Sequence, residues 1–375
     1  MRIFQSHPAL RWAVPAIVVG VVGGTSLIAV SASADAALPD ETPQQLLVDL
    51  QNSHVDSFSG TVVQTSDLGL PQLPGIGGDY DTSLTSLISG THTLQVWSSG
   101  EDKQRLAIHG TLGETDIIRN GTDVWNWSSR DNAATHTKLS SDTAEPEHAV
   151  PSDAPKTPQE AAAKVLDAIE PTTTVSTNPA VKVAGRDAYA LVLEPKDSGS
   201  LIGQVRIAID GEKKVPLSVK VIATDGTTVF ETAFSSIDFG TPDDANFTFN
   251  APPGTKVTEE KPPTVDKDKV AERKAQAEKD ATAAQKDTTV VGSGWSTVVV
   301  GKADLSKAST EDSTHSGERG GAASMQQILN ALPKVSGSWG SGRLLASKAF
   351  SVVITDDGRF AAGAVAPETL YKALS

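Results

Sequence analysis

The chain has 375 residues, 38% hydrophobic and 21% charged, enough to bury a sizeable core and too apolar to be disordered throughout. Its 46 acidic and 32 basic residues leave a net charge of −14, which lacks the basic footprint of phosphate-backbone binding, so no nucleic acid partner is expected. Cysteine is absent, which removes disulfides, thiolate zinc sites, a cysteine nucleophile and an acylated cysteine anchor.

Arg2 and Arg11 lead into an apolar run from Trp12 to Val30, followed by Ser31-Ala32-Ser33-Ala34. This order reads as a secretory signal peptide over residues 1–34, with small residues at the −3 and −1 positions placing cleavage between Ala34 and Asp35. Export to a periplasm-like space, the cell envelope or the medium follows. The alternative is an uncleaved anchor over residues 12–30, since ~17–25 residues span a bilayer.

Thr42 as N-cap, Pro43 in the first turn, and Leu46, Leu47 and Leu50 on one side predict a helix over 42–55. The period then changes to two, predicting strands over 58–64, 93–98, 104–112, 115–119 and 123–128, the last two joined by the turn pair Asn120-Gly121. A second helix is read over 159–170, with Ala163, Leu166 and Ile169 inward and Pro171 ending it. A meander follows, punctuated by Gly185-Arg186, Asp210-Gly211 and Asp225-Gly226. It has no helical crossover, so its strands pair antiparallel. Residues 258–287 are charged and carry no apolar stripe, predicting a helical or disordered insertion. Strands are predicted over 290–300, 342–355 and 359–365, and helices over 325–332 and 367–374. The expected plan is a signal segment (1–34), a main domain (35–257), the charged insertion (258–287) and a C-terminal β extension (288–375). That extension either adds strands to the main sheet or forms a separate module.

The seven histidines are at least twelve residues apart, and no H-E-x-x-H, P-loop or G-x-S-x-G pattern occurs. No catalytic residues, metal or cofactor are expected. What the sequence offers instead is apolar surface, because two short helices are too few to cover the sheet, which predicts a cavity. The loop over 66–90 spreads Leu68, Leu70, Leu73, Leu84, Leu87 and Ile88 among Pro, Gly and Ser. It reads either as a mobile lid over a greasy pocket or as a loop packed on the core. The candidate lipid-contacting set adds the strand residues Val96, Leu106, Ile108, Val205, Ile207, Val219, Val221, Phe230 and Phe234. Trp97, Trp125 and Trp127 are candidate rim aromatics, with ordinary core or edge packing as the alternative.

Three stretches, DIIRNGTDVWNWSSRDNAATHTKL, DAYALVLEPKDSGSLIGQVRIAIDGEKKVPLSVKVIATDGTTVFETAFSSIDF and DDANFTFNAPPGTKV, resemble in order the LolA-type periplasmic lipoprotein carriers and the N-terminal domain of RseB-type envelope-stress regulators. The resemblance covers about residues 40–257. It implies an α+β fold, an incomplete, half-open antiparallel β-barrel with a helical lid over an apolar cavity, acting as a monomer without cofactor or covalent chemistry. Its partners would be lipid or lipoprotein acyl chains, with lipoprotein transport as the role. The alternative implied is an envelope sensor that contacts a membrane-bound anti-sigma factor. The carriers' functional basic-Arg-Pro triplet has no counterpart in VWSSGEDKQRL, so Arg105 inherits no such role.

Overall fold

The computed structural model describes residues 38–70, 86–110, 113–139, 158–260, 288–302 and 329–375. Ala34 and Asp35, Leu73 and Leu84, and all of the charged insertion after residue 260 lie outside the described residues.

Helix α1 (Pro43–Asn52) starts where the capping residues predict. Gln45 N donates to Thr42 Oγ1 at 3.2 Å, and Thr42 N donates back to Gln45 Oε1 at 2.8 Å, so two of the helix's orphan donors are satisfied reciprocally. The strands that follow are β1 (Ser57–Ser66), β2 (Gly90–Ser99), β3 (Lys103–Gly110), β4 (Gly113–Asn120), β5 (Asp123–Ser128) and β6 (Ala133–Lys138). After α2 (Pro158–Ile169) come β7 (Thr173–Val183), β8 (Arg186–Pro195), β9 (Ile202–Asp210), β10 (Pro216–Ala223), β11 (Thr228–Asp238) and β12 (Lys256–Glu260).

These form one unclosed twelve-stranded sheet, ordered β12-β6-β5-β4-β3-β2-β1-β11-β10-β9-β8-β7. Two meanders, β1 to β6 and β7 to β11, are joined along β1 and β11, which pair from Ser59↔Asp238 to Ser66↔Phe230. The expected antiparallel pairing holds for every ladder except β12 against β6, which is parallel. Strand β6 (AATHTK) was not anticipated, because its period-two signal reduces to small and polar residues.

The chain after residue 288 builds its own sheet from β13 (Thr289–Val291), β14 (Val298–Lys302), β15 (Lys334–Gly337), β16 (Gly340–Ala346), β17 (Ser351–Thr355) and β18 (Arg359–Gly363), ordered β13-β14-β18-β17-β16-β15. Two expected single strands are hairpins. Gly292 and Gly294, at φ +87 and +59, break 290–300 into β13 and β14. Ser347 breaks 342–355, its Oγ accepting from Ala349 N at 3.2 Å and Phe350 N at 2.9 Å. Helix α3 (Pro367–Leu374) covers one face of this sheet, burying Leu370 and Leu374 against Val298, Val353 and Ala361.

Candidate functional site

Side chains alternate across a pleated sheet, so the ladders assign each residue to a face. On the first face of the large sheet, Leu193, Val205, Val221 and Phe230 line up across β8 to β11, and Leu191, Ile207 and Val219 form the next row. Val62, Leu94 and Ile108 continue this face across β1 to β3, with Phe234 opposite Val62 and Leu106 opposite Val96. The sequence-predicted strand residues Val96, Leu106, Ile108, Val205, Ile207, Val219, Val221, Phe230 and Phe234 therefore share one face.

Different neighbours cover different parts of it. Leu46 of α1 packs on Tyr189, Leu191 and Ile209, with Ile207 and Leu193 beside them. Leu87, buried in a 3-10 turn, joins Phe58, Val62, Leu94 and Ile108. Leu68, Val205 and Val221 pack instead in a core shared with Trp295, Phe350 and Ala364 of the second sheet. Leu70 and Ile88 are half-buried. A polar row, Thr232 opposite Gln64 and Gln64 opposite His92, is buried in the middle of this apolar face.

The three tryptophans lie on the second face. Trp97, Arg105, Ile118, Trp125 and His136 occupy successive partner positions across β2 to β6. Trp125 stacks on His136 at 4.2 Å between ring centroids and meets Phe249 at 4.7 Å, while Trp127 lies 6.4 Å from Phe249. Trp125 and Trp127 thus seat the segment leading into β12. The period-two pattern that paired these two residues on one face could not reveal that this face is opposite to Val96 and Ile108.

The second sheet docks where β7 to β11 begin and end. Trp295 Nε1 donates to Thr173 Oγ1 at 2.8 Å, Leu201 N to Ala364 O at 2.7 Å, and Lys348 N to Leu68 O at 2.8 Å. Along this seam opens a cleft of about 690 Å³. One wall is Ala168 and Ile169 of α2, Thr172, Thr173 and Leu193; the other is Trp295, Val299, Phe350, Val352 and Ala362. Val299, Ala362 and Val352 are cross-strand partners, so they present one apolar row on the face of the second sheet opposite α3. None of the described lining residues has an ionisable side chain. Three of its hydroxyls are already engaged, Thr172 Oγ1 donating to Ile169 O at 3.3 Å, Thr297 Oγ1 donating to Gly294 O at 2.8 Å and Thr173 Oγ1 accepting from Trp295.

Sequence reasoning missed Trp295, Phe350, Val352 and Ala362 as site residues. The available signal was the aromatic residue directly after the Gly292-Ser293-Gly294 turn, but its partner wall lies more than a hundred residues away in the chain. Among the described residues, no group of three or more His, Asp and Glu is placed to hold a metal ion. Among them, too, no helix is long and apolar enough to cross a membrane.

No family model and no curated protein matches the sequence. Among solved structures, the chain is similar to one in the Pseudomonas aeruginosa MucA/MucB complex, at 13% identity and TM-score 0.37, over 88% of this chain and 94% of that one. It is similar to an uncharacterized conserved protein of Thermus thermophilus, at 12% identity and TM-score 0.31, over 58% of this chain and 98% of the other. It is also similar to a LolA superfamily protein of Nitrosomonas europaea, at 15% identity and TM-score 0.20, over 56% and 99%.

Proposed function

We propose that this chain is an exported, non-enzymatic binding protein for the acyl chains of lipids or lipoproteins, working in the cell envelope. The observation that carries this reading is the seam cleft of about 690 Å³, whose walls are aliphatic, aromatic and hydroxyl-bearing and, among the described residues, contain no acid or base. Proton transfer and nucleophilic activation need a titratable group within hydrogen-bond reach, and such a lining has none to offer. Its size falls within the range of small-molecule sites, roughly 300–1,000 Å³.

The energetics suit a carrier. A chain of roughly fifteen carbons gains about 12 kcal/mol gross on burial at ~0.8 kcal/mol per CH₂. A ligand drawn from a membrane or micelle leaves a comparable apolar environment, so uptake and release lie near balance.

Mass spectrometry of organic extracts from protein purified out of its native envelope tests this, together with uptake of a fluorescent fatty acid. Co-purified lipid, and uptake abolished by Val352→Asp or Ala362→Asp with folding intact, is the expected result. Absence of both lipid and uptake would sink the carrier reading and favour the sensor alternative, in which the second sheet engages a membrane protein.

A further inference from the structure

On the second face of the large sheet, three adjacent strands build a small polar trough far in character from the seam cleft. β2 contributes Gln95 and Trp97, β1 contributes Thr61 and Ser59, and β11 contributes Ser236 and Asp238. The ladders set them in two rows, Gln95↔Thr61↔Ser236 and Trp97↔Ser59↔Asp238. The cleft between them measures about 250 Å³. Its floor is low because the middle strand carries only small side chains there, with Gly60 between them. Indole and amide form one wall; carboxylate and hydroxyl form the other. The β1/β11 register shifts beside this grid, between Thr61 and Val62, and such bulges re-aim side chains next to functional sites.

The aromatic wall is held in place. The Arg105 guanidinium lies over the Trp97 ring at 5.0 Å, and Arg105 is itself clamped on Asp116 through hydrogen bonds of 3.1 and 2.7 Å. Arg105 comes from β3, whereas the trough lies on the β1 side of Trp97. Asp238 Oδ1 accepts from Gly240 N at 2.5 Å; Oδ2 has no hydrogen bond among the described residues.

We propose that this trough is a saccharide subsite that takes one neutral pyranose ring. The C–H face of a sugar ring packs against the electron-rich face of an indole. Vicinal sugar hydroxyls both donate and accept, and the trough answers with Gln95, which does both, with the Ser and Thr hydroxyls, which do both, and with Asp238, which accepts. A quaternary ammonium is the competing ligand class for an aromatic wall beside a carboxylate. Arg105 already places a positive charge against the same ring, which disfavours a second cation and leaves the neutral ring as the better fit. The trough shares no lining residue with the seam cleft.

Saturation-transfer NMR on the purified chain, with the methyl glycosides of glucose, galactose, mannose and N-acetylglucosamine and with choline as the cationic comparison, tests the proposal. The expected result is transfer to the ring protons of at least one neutral sugar, with affinity cut tenfold or more by Gln95→Ala and by Asp238→Asn, each checked for native circular dichroism. Two substitutions are used so that a folding defect in one leaves the other informative. No transfer to any sugar, transfer to choline alone, or sugar binding unchanged in the folded variants overturns it.

Discussion

Arg186 closes on Asp210, a carboxylate with 0% of its surface exposed, and ties the β9–β10 turn to the start of β8. Arg186 Nε donates to Asp210 Oδ2 and Nη2 donates to Oδ1 at 3.0 Å. Oδ1 also accepts from the backbone of Glu212 at 3.1 Å and Lys213 at 2.6 Å, so the Asp210-Gly211 turn signal is a hydrogen-bonded clamp. Phe239 caps the pair, its ring 4.8 Å from the guanidinium carbon.

Removing Arg186 leaves the fully buried Asp210 charge without its cation, which typically costs about 3–5 kcal/mol, whereas removing Asp210 leaves Arg186 27% exposed and still paired with Glu212 at 3.2 Å. Arg186→Met is expected to lower the urea midpoint accordingly, and Asp210→Asn by less, each with the slope unchanged. Burial opposes ionisation of Asp210, but the Arg186 hydrogen bond and the backbone N–H groups outweigh it and hold the carboxyl below its ordinary range. The stabilisation is therefore present above the unfolded carboxylate value of about 3.9 and is lost as pH falls through the lower folded value. Urea titrations from neutral to acid pH should show this loss in the parent chain and not in Asp210→Asn.

The meander over 173–238 was legible because its turns carry strong local chemistry. Asp210 and Asp225 cap their own loops, with Thr227 N donating to Asp225 Oδ1 at 2.8 Å, and Gly185 and Gly226 sit at φ +76 and +83. Alternation in Val205-Ile207-Ile209 and Val219-Val221 gave the faces within that stretch. The seam cleft was not legible. Its walls join Ile169 and Leu193 to Trp295 and Val352, and no local pattern encodes a contact over such separations. The side on which Trp125 lies relative to Val96 was equally hidden, because period two fixes relative faces within a strand and leaves register between strands open.

Gly60 tests the packing between the two faces. A Cβ built there would lie 2.6 Å from the Ser236 carbonyl oxygen and 2.9 Å from the Phe234 ring. The carbonyl belongs to the β11 backbone and cannot swing away, so Gly60→Ala is expected to destabilise the fold by about 1–3 kcal/mol. A thermal melt measures it; an unchanged midpoint would mean that the bulge absorbs the methyl group.

The two aliphatic ends of the 66–90 loop should behave differently. Leu87 is 1% exposed within the main core, so Leu87→Ala is expected to cost about 2–5 kcal/mol whatever the loop does. Leu70 is half-buried, and Leu70→Asp should leave the melting temperature within a few degrees of the parent. If the loop touches the acyl chain, Leu70→Asp also weakens fatty-acid uptake; unchanged uptake makes the loop packing only.

His136 makes the attachment of β12 dependent on pH. Its Nε2 meets Asp123 Oδ1 at 2.9 Å, and its Nδ1 meets Glu259 Oε2 of β12 at 2.8 Å. Lys138 Nζ, 4.0 Å from Asp123, is the competing cation. Burial disfavours the charged ring, but the hydrogen bonds to Glu259 and then Asp123 prevail and raise its pKa above 6.5. A raised folded value means that the protonated ring is bound more tightly in the native state. Its stabilisation is complete below the unfolded value of about 6.5 and disappears as pH rises through the folded one. Because Asp123 and Glu259 are 39% and 71% exposed, the effect should stay below about 1 kcal/mol. Thermal melts from about pH 6 to about pH 8.5 should show a small fall in midpoint for the parent chain and a flat profile for His136→Asn. Hydrogen exchange should place the loss at β12, where parallel pairing to β6 is the only ladder holding the strand among the described residues. A fall that persists in His136→Asn would assign the pH dependence to another group.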